Sequence, residues 1–426
     1  MSAQPLPSSA TPQPESEALR WETVPEWYRP DYGRSLTGVF PTIMRQLGRD
    51  VDGYTHIEKH LASASPRKAK RAFVLVLDGF GFKEFAMSER FRGLYPHFGT
   101  WITSVFPSIT SCALSSLYQA LPPARHGIAG HYVWKDSPGG VVDMLKMQVD
   151  GAKWPLNAAG FDVQTWKREP GILESRVTEG LPGYQLMHYS IVNSGLSTYS
   201  YGKANLIGFS ETLEGFTKAG KMLRDIPTGW VGLYLATVDT LSHALTGDSP
   251  QVGLAVRQIE ESVRWMVSTL PRDVAEDTVF YVLADHGQNN LRETHRWNQE
   301  QKDWLLTHCR GLGFSGRVMH YYAKPGAESE LVPWLRAGIG ELGQVFAFDD
   351  VRDLVGAGPG TDEAWARRSV GDAVVILRSG HNWDKEGLMK KRKEYPTELI
   401  SQHGALTWDE MFIPMLCAPL SAMLGE

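Results

Sequence analysis

Cysteine is scarce: Cys112, Cys309 and Cys417 are the only three in 426 residues, far apart and without a CxxC pair. This excludes a disulfide framework or a zinc ribbon and leaves the three as packing residues. Long apolar runs are missing too. Nothing reaches the roughly 18 to 20 residues of a membrane span, and MSAQPLPSSATPQPESEALRW lacks the basic-then-apolar order of a secretory leader. The expected location is the cytoplasm. There is no excess of positive charge; the net charge is -5 at pH 7, so stable nucleic-acid binding through phosphates is not expected.

What is present is an ordinary globular composition, 42% hydrophobic and 21% charged, which excludes disordered, collagenous and coiled-coil classes. Residues 1–20, rich in Pro, Ser, Gln and Glu, read as a disordered tail. Residues 21–69 read as a segment wrapping onto the main body, with a short amphipathic helix in GVFPTIMRQLG.

From Arg71 onward short apolar runs mark buried strands: FVLVL ending in Asp78, VGLYLATVD ending in Asp239, TVFYVLAD ending in Asp285, and AVVILRSG ending in Gly380. PQVGLAVRQIEESVRWMVSTLP, between the second and third, has helical spacing. Strand, helix, strand predicts an α/β sheet covered on both faces, whose ligands bind beyond the carboxyl ends of the strands. A single Asp after a strand is usually a turn or cap residue; three such Asp, two with a nearby histidine, point to metal binding.

In D-T-L-S-H, Asp239 and His243 share one face if the chain turns helical. Asp285 and His286 are adjacent in ADHGQ, and His403 stands in QHGALTWDEMF. With Asp78 these make six oxygen and nitrogen donors without a thiolate, a set suited to Zn²⁺ first and to Mn²⁺ or Mg²⁺ second. His56 and His60 also have HxxxH spacing but lie outside the strand-end pattern, on an expected solvated face. His381 follows the fourth run without a motif around it.

Between the first and second strands, FPSITSCALSSLYQALPPARHGI presents hydroxyls before a predicted helix, whose unpaired amides and dipole favour a phosphoryl group. Ser108, Thr110 and Ser111 are all candidate nucleophiles on that basis.

These residues together resemble the alkaline phosphatase superfamily, in its type I phosphodiesterase and nucleotide pyrophosphatase branch. The likeness runs from about Arg71 to the C-terminus. It is carried by the strand with Asp78-Gly79, the Pro-x-x-Thr segment followed by HGI, the D-x-x-x-H pair, ADHG and a terminal HG, in family order. The resemblance implies a three-layer α/β/α sandwich with small cap inserts, and it selects Thr110, sixteen residues before His126 of HGI, as nucleophile. It also implies two divalent ions, one held by Asp239, His243 and His403, the other by Asp78, Asp285 and His286 with Thr110. The implied activity is phosphoester hydrolysis through a phosphothreonine, on a diester or nucleotide pyrophosphate. A phosphomonoesterase and an inactive phosphate-binding module are the alternatives. The sulfatase pattern fails, since Ala113 to Ser116 follow Cys112 without its Pro and Arg, and a threonine argues against the mutases, which use serine. One departure is His131, at about the place where many relatives carry a phosphate-binding asparagine.

The core is expected over 70–314 and 373–426. A substrate-pocket insert over 134–205 contains Trp154, Trp166, Lys167 and Arg168, and a small α+β cap occupies 315–372. Trp154 and Trp166 are candidate stacking surfaces for a planar leaving group, with His131 beside them as a substrate contact. The oligomeric state is not legible.

Overall fold

The computed structural model describes residues 19–21, 24–385, 388 and 399–425; most of the expected 1–20 tail lies outside them. A seven-stranded sheet forms the centre, in the order Gly99–Thr103, Phe412–Pro419, Thr278–Leu283, Arg71–Leu77, Gly229–Leu235, Gly183–His188, Asn205–Phe209. The last five are parallel to one another, whereas Phe412–Pro419 runs antiparallel to both its neighbours. The central strands are buried along their whole length, as expected for apolar runs covered on both faces.

Alternation along Gly229–Leu235 sends Trp230 and Leu233 to opposite faces. On one face the Trp230 ring meets Phe40 and Tyr118, from the helices Val39–Gln46 and Thr110–Gln119. On the other, Leu233 meets the helix Thr212–Asp225 at Gly215. Three layers result. The helix Pro250–Ser268 starts at a Ser249 cap and buries Val252, Val256, Ile259, Val263, Met266 and Val267, spaced by three and four. Leu254 of the same helix is exposed. Val24–Tyr28 packs onto the body: the Tyr28 amide donates to the Leu406 carbonyl and Trp27 is fully buried.

A second, wholly antiparallel sheet has the order Gly343–Ala347, Ala373–Leu377, Val318–Ala323, Cys309–Ser315, Tyr132–Lys135, Gly140–Asp143, Gln148–Val149. The fourth apolar run, Ala373–Leu377, belongs here and not to the parallel sheet. Flanked on both sides and fully buried, it has the same apolar signature as a central parallel strand. The two inserts drawn from sequence also meet in this sheet, while Gly183–His188 of the 134–205 stretch stands in the central one. The three cysteines are free and buried. Among the described residues no helix is long and apolar enough to cross a membrane.

Candidate metal centre

Leu77 pairs with Leu235 and Val76 with Leu283, so three adjacent parallel strands end at one edge. Asp78, Asp239 and Asp285 follow those ends and converge. The Asp239 amide donates to the Asp78 carbonyl at 3.0 Å, and the Gly79 amide to Asp285 Oδ1 at 3.2 Å. Gly79 has φ +71, and a Cβ there would stand 3.0 Å from Asp239 Cα, so a side chain would push the two loops apart. The chain does turn helical after the second strand: Thr237–Leu245 carries Asp239 and His243 one turn apart, with His243 Nε2 3.3 Å from Asp239 Oδ1. His403 comes in from the C-terminal loop, its Nε2 3.5 Å from the same oxygen. His286 Nε2 lies 3.3 Å from both Asp78 Oδ1 and Asp285 Oδ2, and its ring stacks on His403 at 3.6 Å.

The histidine tautomers follow from the partners. His243 Nδ1 faces the Ser401 carbonyl at 2.7 Å, His286 Nδ1 the Gly287 carbonyl at 3.2 Å, and His403 Nδ1 the Ser108 carbonyl at 3.0 Å. A carbonyl only accepts, so each Nδ1 donates its proton and each Nε2 of a neutral ring turns a bare lone pair toward the carboxylates. Burial and the charges of Asp285 and Asp239 raise Asp78 well above the usual carboxylate range, and burial raises Asp239 and Asp285. Burial lowers His286, and burial with the charges of His286 and His243 lowers His403 further. Among the described residues Asp78 Oδ1 and Asp285 Oδ2 are buried without a hydrogen-bond partner. Lone pairs facing lone pairs in a dry site call for cations between them, and the 3.3–3.5 Å spacings match the roughly 3.3 Å between donors around a tetrahedral zinc with bonds of about 2.0–2.1 Å.

Of the three candidate hydroxyls, Ser108 and Ser111 are fully buried and donate to the carbonyls of Ala405 and Gly130, at 2.7 and 3.0 Å. Thr110, partly exposed as the first residue of Thr110–Gln119, has Oγ1 3.2 Å from His286 Nε2. The opening amides of a helix have no intrahelical partner, so the donor end of the dipole lies at this hydroxyl.

The expected substrate contacts fare differently. The His131 amide donates to Ser315 Oγ at 2.9 Å and its Nε2 lies 3.5 Å from Asp143. Trp166 is buried, its Nε1 on Ser137 Oγ and Lys135 Nζ 5.0 Å over its ring, while Trp154 is 62% exposed beside Lys153. Among the described residues neither tryptophan makes a hydrogen bond or ring contact with the six donors. Trp166 has no open face on which a base could stack; its ring is spent on packing. Arg125 pairs with Glu169, and Arg168 lies over the Trp365 ring.

Sequence reasoning passed over two supporting residues. Tyr234 donates to Asp78 Oδ2, and Gln288 donates to Asp239 Oδ1 while accepting from Ser401 Oγ at 2.8 Å. Gln288 directly follows ADHG, where its position could have marked it. Tyr234, one residue inside a strand, looks like any core aromatic.

A parallel sheet whose strand ends gather carboxylates and imidazoles beside a helix-start hydroxyl defines the alkaline-phosphatase-like class of hydrolases. Residues 72–333 match the type I phosphodiesterase / nucleotide pyrophosphatase family, and the chain belongs to it. It is accordingly a metal-dependent hydrolase of phosphoric esters. Murine ectonucleotide pyrophosphatase / phosphodiesterase 5 superposes with TM-score 0.60 at 16% identity, over 82% of this chain and 87% of its own. An inactive variant of that protein is known in complex with AMP. Phosphonoacetate hydrolase from Sinorhizobium meliloti 1021, in complex with phosphonoformate, superposes with TM-score 0.59 at 15% identity, over 85% and 97%. A search of curated proteins found no match.

Proposed function

We propose that the protein hydrolyses phosphodiesters or nucleotide pyrophosphates through a covalent phosphothreonine on Thr110, with two divalent cations, zinc first and manganese or magnesium second. The observation that carries this is the Thr110 hydroxyl at the start of a helix and 3.2 Å from His286 Nε2, while its neighbours Ser108 and Ser111 are locked onto carbonyls. By nearest carboxylate, His243 and His403 go with Asp239, and His286 goes with Asp78 and Asp285; these two trios would each hold one cation. When bound, such cations lower the pKa of a coordinated hydroxyl or water and offset charge on phosphoryl oxygens.

Thr110 Oγ1 gives up its proton and attacks phosphorus in line, an O–P bond forms, and the ester oxygen opposite leaves with its electron pair and takes up a proton from solvent. The helix-start amides face the charge on the phosphoryl oxygens. Water then attacks phosphorus from the vacated side, the bond from phosphorus to Thr110 Oγ1 breaks, a proton from that water restores the hydroxyl and a phosphate monoester is released, so the two inversions give net retention. His131, at about the place where many relatives carry an asparagine, would serve as a phosphoryl contact.

The test uses Thr110→Ala. Its folding and metal content should match the wild type, while turnover of a chromogenic phosphodiester falls by about three orders of magnitude or more, because nucleophile and activation act as one unit. Retention of more than about a tenth of the wild-type rate would exclude Thr110 as nucleophile.

A further inference from the structure

Away from the six donors, Glu293–His295 and His381–Trp383 pair in parallel, with Glu293 opposite His381 and His295 opposite Trp383. Residues two apart on a strand share a face, so Glu293, His295, His381 and Trp383 stand on one side of this ribbon. His295 Nε2 lies 3.0 Å from His381 Nδ1 and 3.7 Å from Glu293 Oε2, and the three donors fall within 4.8 Å of one another. One proton between the two rings could join only two of the three groups. A cation would engage all three, and 3.0 and 3.7 Å bracket the roughly 3.3 Å expected between donors on a tetrahedral zinc.

The backbone around the trio is tied down. The amides of Arg292 and Glu293 both donate to the Gly380 carbonyl, at 2.7 and 3.1 Å, and the Asp384 amide to the His295 carbonyl at 2.7 Å. Arg317 Nε donates to the His381 carbonyl at 3.0 Å, and the His295 ring packs 5.8 Å from that of Trp383. The neighbouring cation, Arg292, is turned onto the Ser379 carbonyl at 2.7 Å. The two histidines are half-buried and Glu293 is exposed. Held rotamers and a mixed imidazole–carboxylate set are what a zinc-class ion selects, with the fourth position open to water.

We infer that Glu293, His295 and His381 form a further divalent-cation site for Zn²⁺, separate from the two trios of the proposed catalytic centre. Arg317 stands between them: it holds the His381 carbonyl through its side chain and donates its amide to the His403 carbonyl at 2.9 Å. A cation here would staple the His381 strand, 86 residues away in sequence, to the His295 strand.

The test strips the full-length protein with chelator, dialyses it against Zn²⁺ and counts ions per chain by elemental analysis. His295→Ala and His381→Ala should each bind one ion fewer than the wild type, and Glu293→Gln should hold that ion at least about tenfold more weakly by calorimetric titration. Circular dichroism checks folding, and the exposed Glu293 position keeps the test open if a histidine variant does not fold. His403→Ala should keep this ion while losing one from the other site, which separates the two assignments. Identical zinc counts and affinities in wild type, His295→Ala, His381→Ala and Glu293→Gln would overturn the inference.

Discussion

Gln288→Ala is the substitution whose effect can be worked out most fully from the structure. Gln288 is fully buried, donates to Asp239 Oδ1 and accepts from Ser401 Oγ, and the Ser401 carbonyl in turn orients His243 through Nδ1. It therefore steadies two members of the Asp239, His243, His403 trio and touches none of the other. A hydrogen bond to a charged group is worth about 1.5–3 kcal/mol. Loss of a partner behind a metal ligand lowers affinity about 10- to 100-fold, which is about 1.4–2.7 kcal/mol. Both routes give about 2 kcal/mol. The variant should bind its weaker zinc about 30-fold less tightly, with the second ion within about threefold of wild type. Competition titration against a chromogenic chelator resolves the two constants. If both stay within about threefold of wild type, Gln288 does not support Asp239 as argued.

Asp239→Ala or His403→Ala should each hold one ion fewer than the wild type by elemental analysis, and an unchanged ion count in both variants would refute the grouping. Glu84 is buried with both oxygens unpartnered, and burial, partly offset by Lys83, pushes it from the ordinary 4.5 up to about 8. Because the folded-state value is raised, the associated stability is intact below about pH 4.5 and is lost as pH rises to about 8, by up to about 5 kcal/mol. Glu84→Gln removes that slope, so it should gain on the wild type between about pH 5 and 8 in thermal melts, and parallel curves would refute the argument. Diesters should be preferred over monoesters: a monoester phosphoryl group carries about two negative charges and calls for an added arginine, yet Arg125 is engaged by Glu169 and Arg317 is buried against Glu410. A comparison of kcat/KM for bis-p-nitrophenyl phosphate, a nucleotide p-nitrophenyl ester and p-nitrophenyl phosphate decides this; a preference of about tenfold for the monoester over both others would sink it.

The amino-acid sequence alone determined the strands before Asp78, Asp239 and Asp285, because a strand buried on both faces leaves an unbroken apolar run and its end shows as a sudden carboxylate. It also determined the pairing of Asp239 with His243, since four residues is one helical turn, and the hydroxyls at the start of Thr110–Gln119, set off by Pro107 before and Pro122 after. Tertiary structure decided what no local pattern carries. Which apolar run joins which sheet depends on neighbours distant in sequence, so Ala373–Leu377 went to the antiparallel sheet. The histidine tautomers are set by the backbone carbonyls of Ser401, Gly287 and Ser108, groups that every residue owns and that therefore leave no mark in composition. Trp166, a candidate stacking surface by its residue type alone, is core because burial is a property of the packed chain. His381, without any motif around it, found His295 only when two short strands paired.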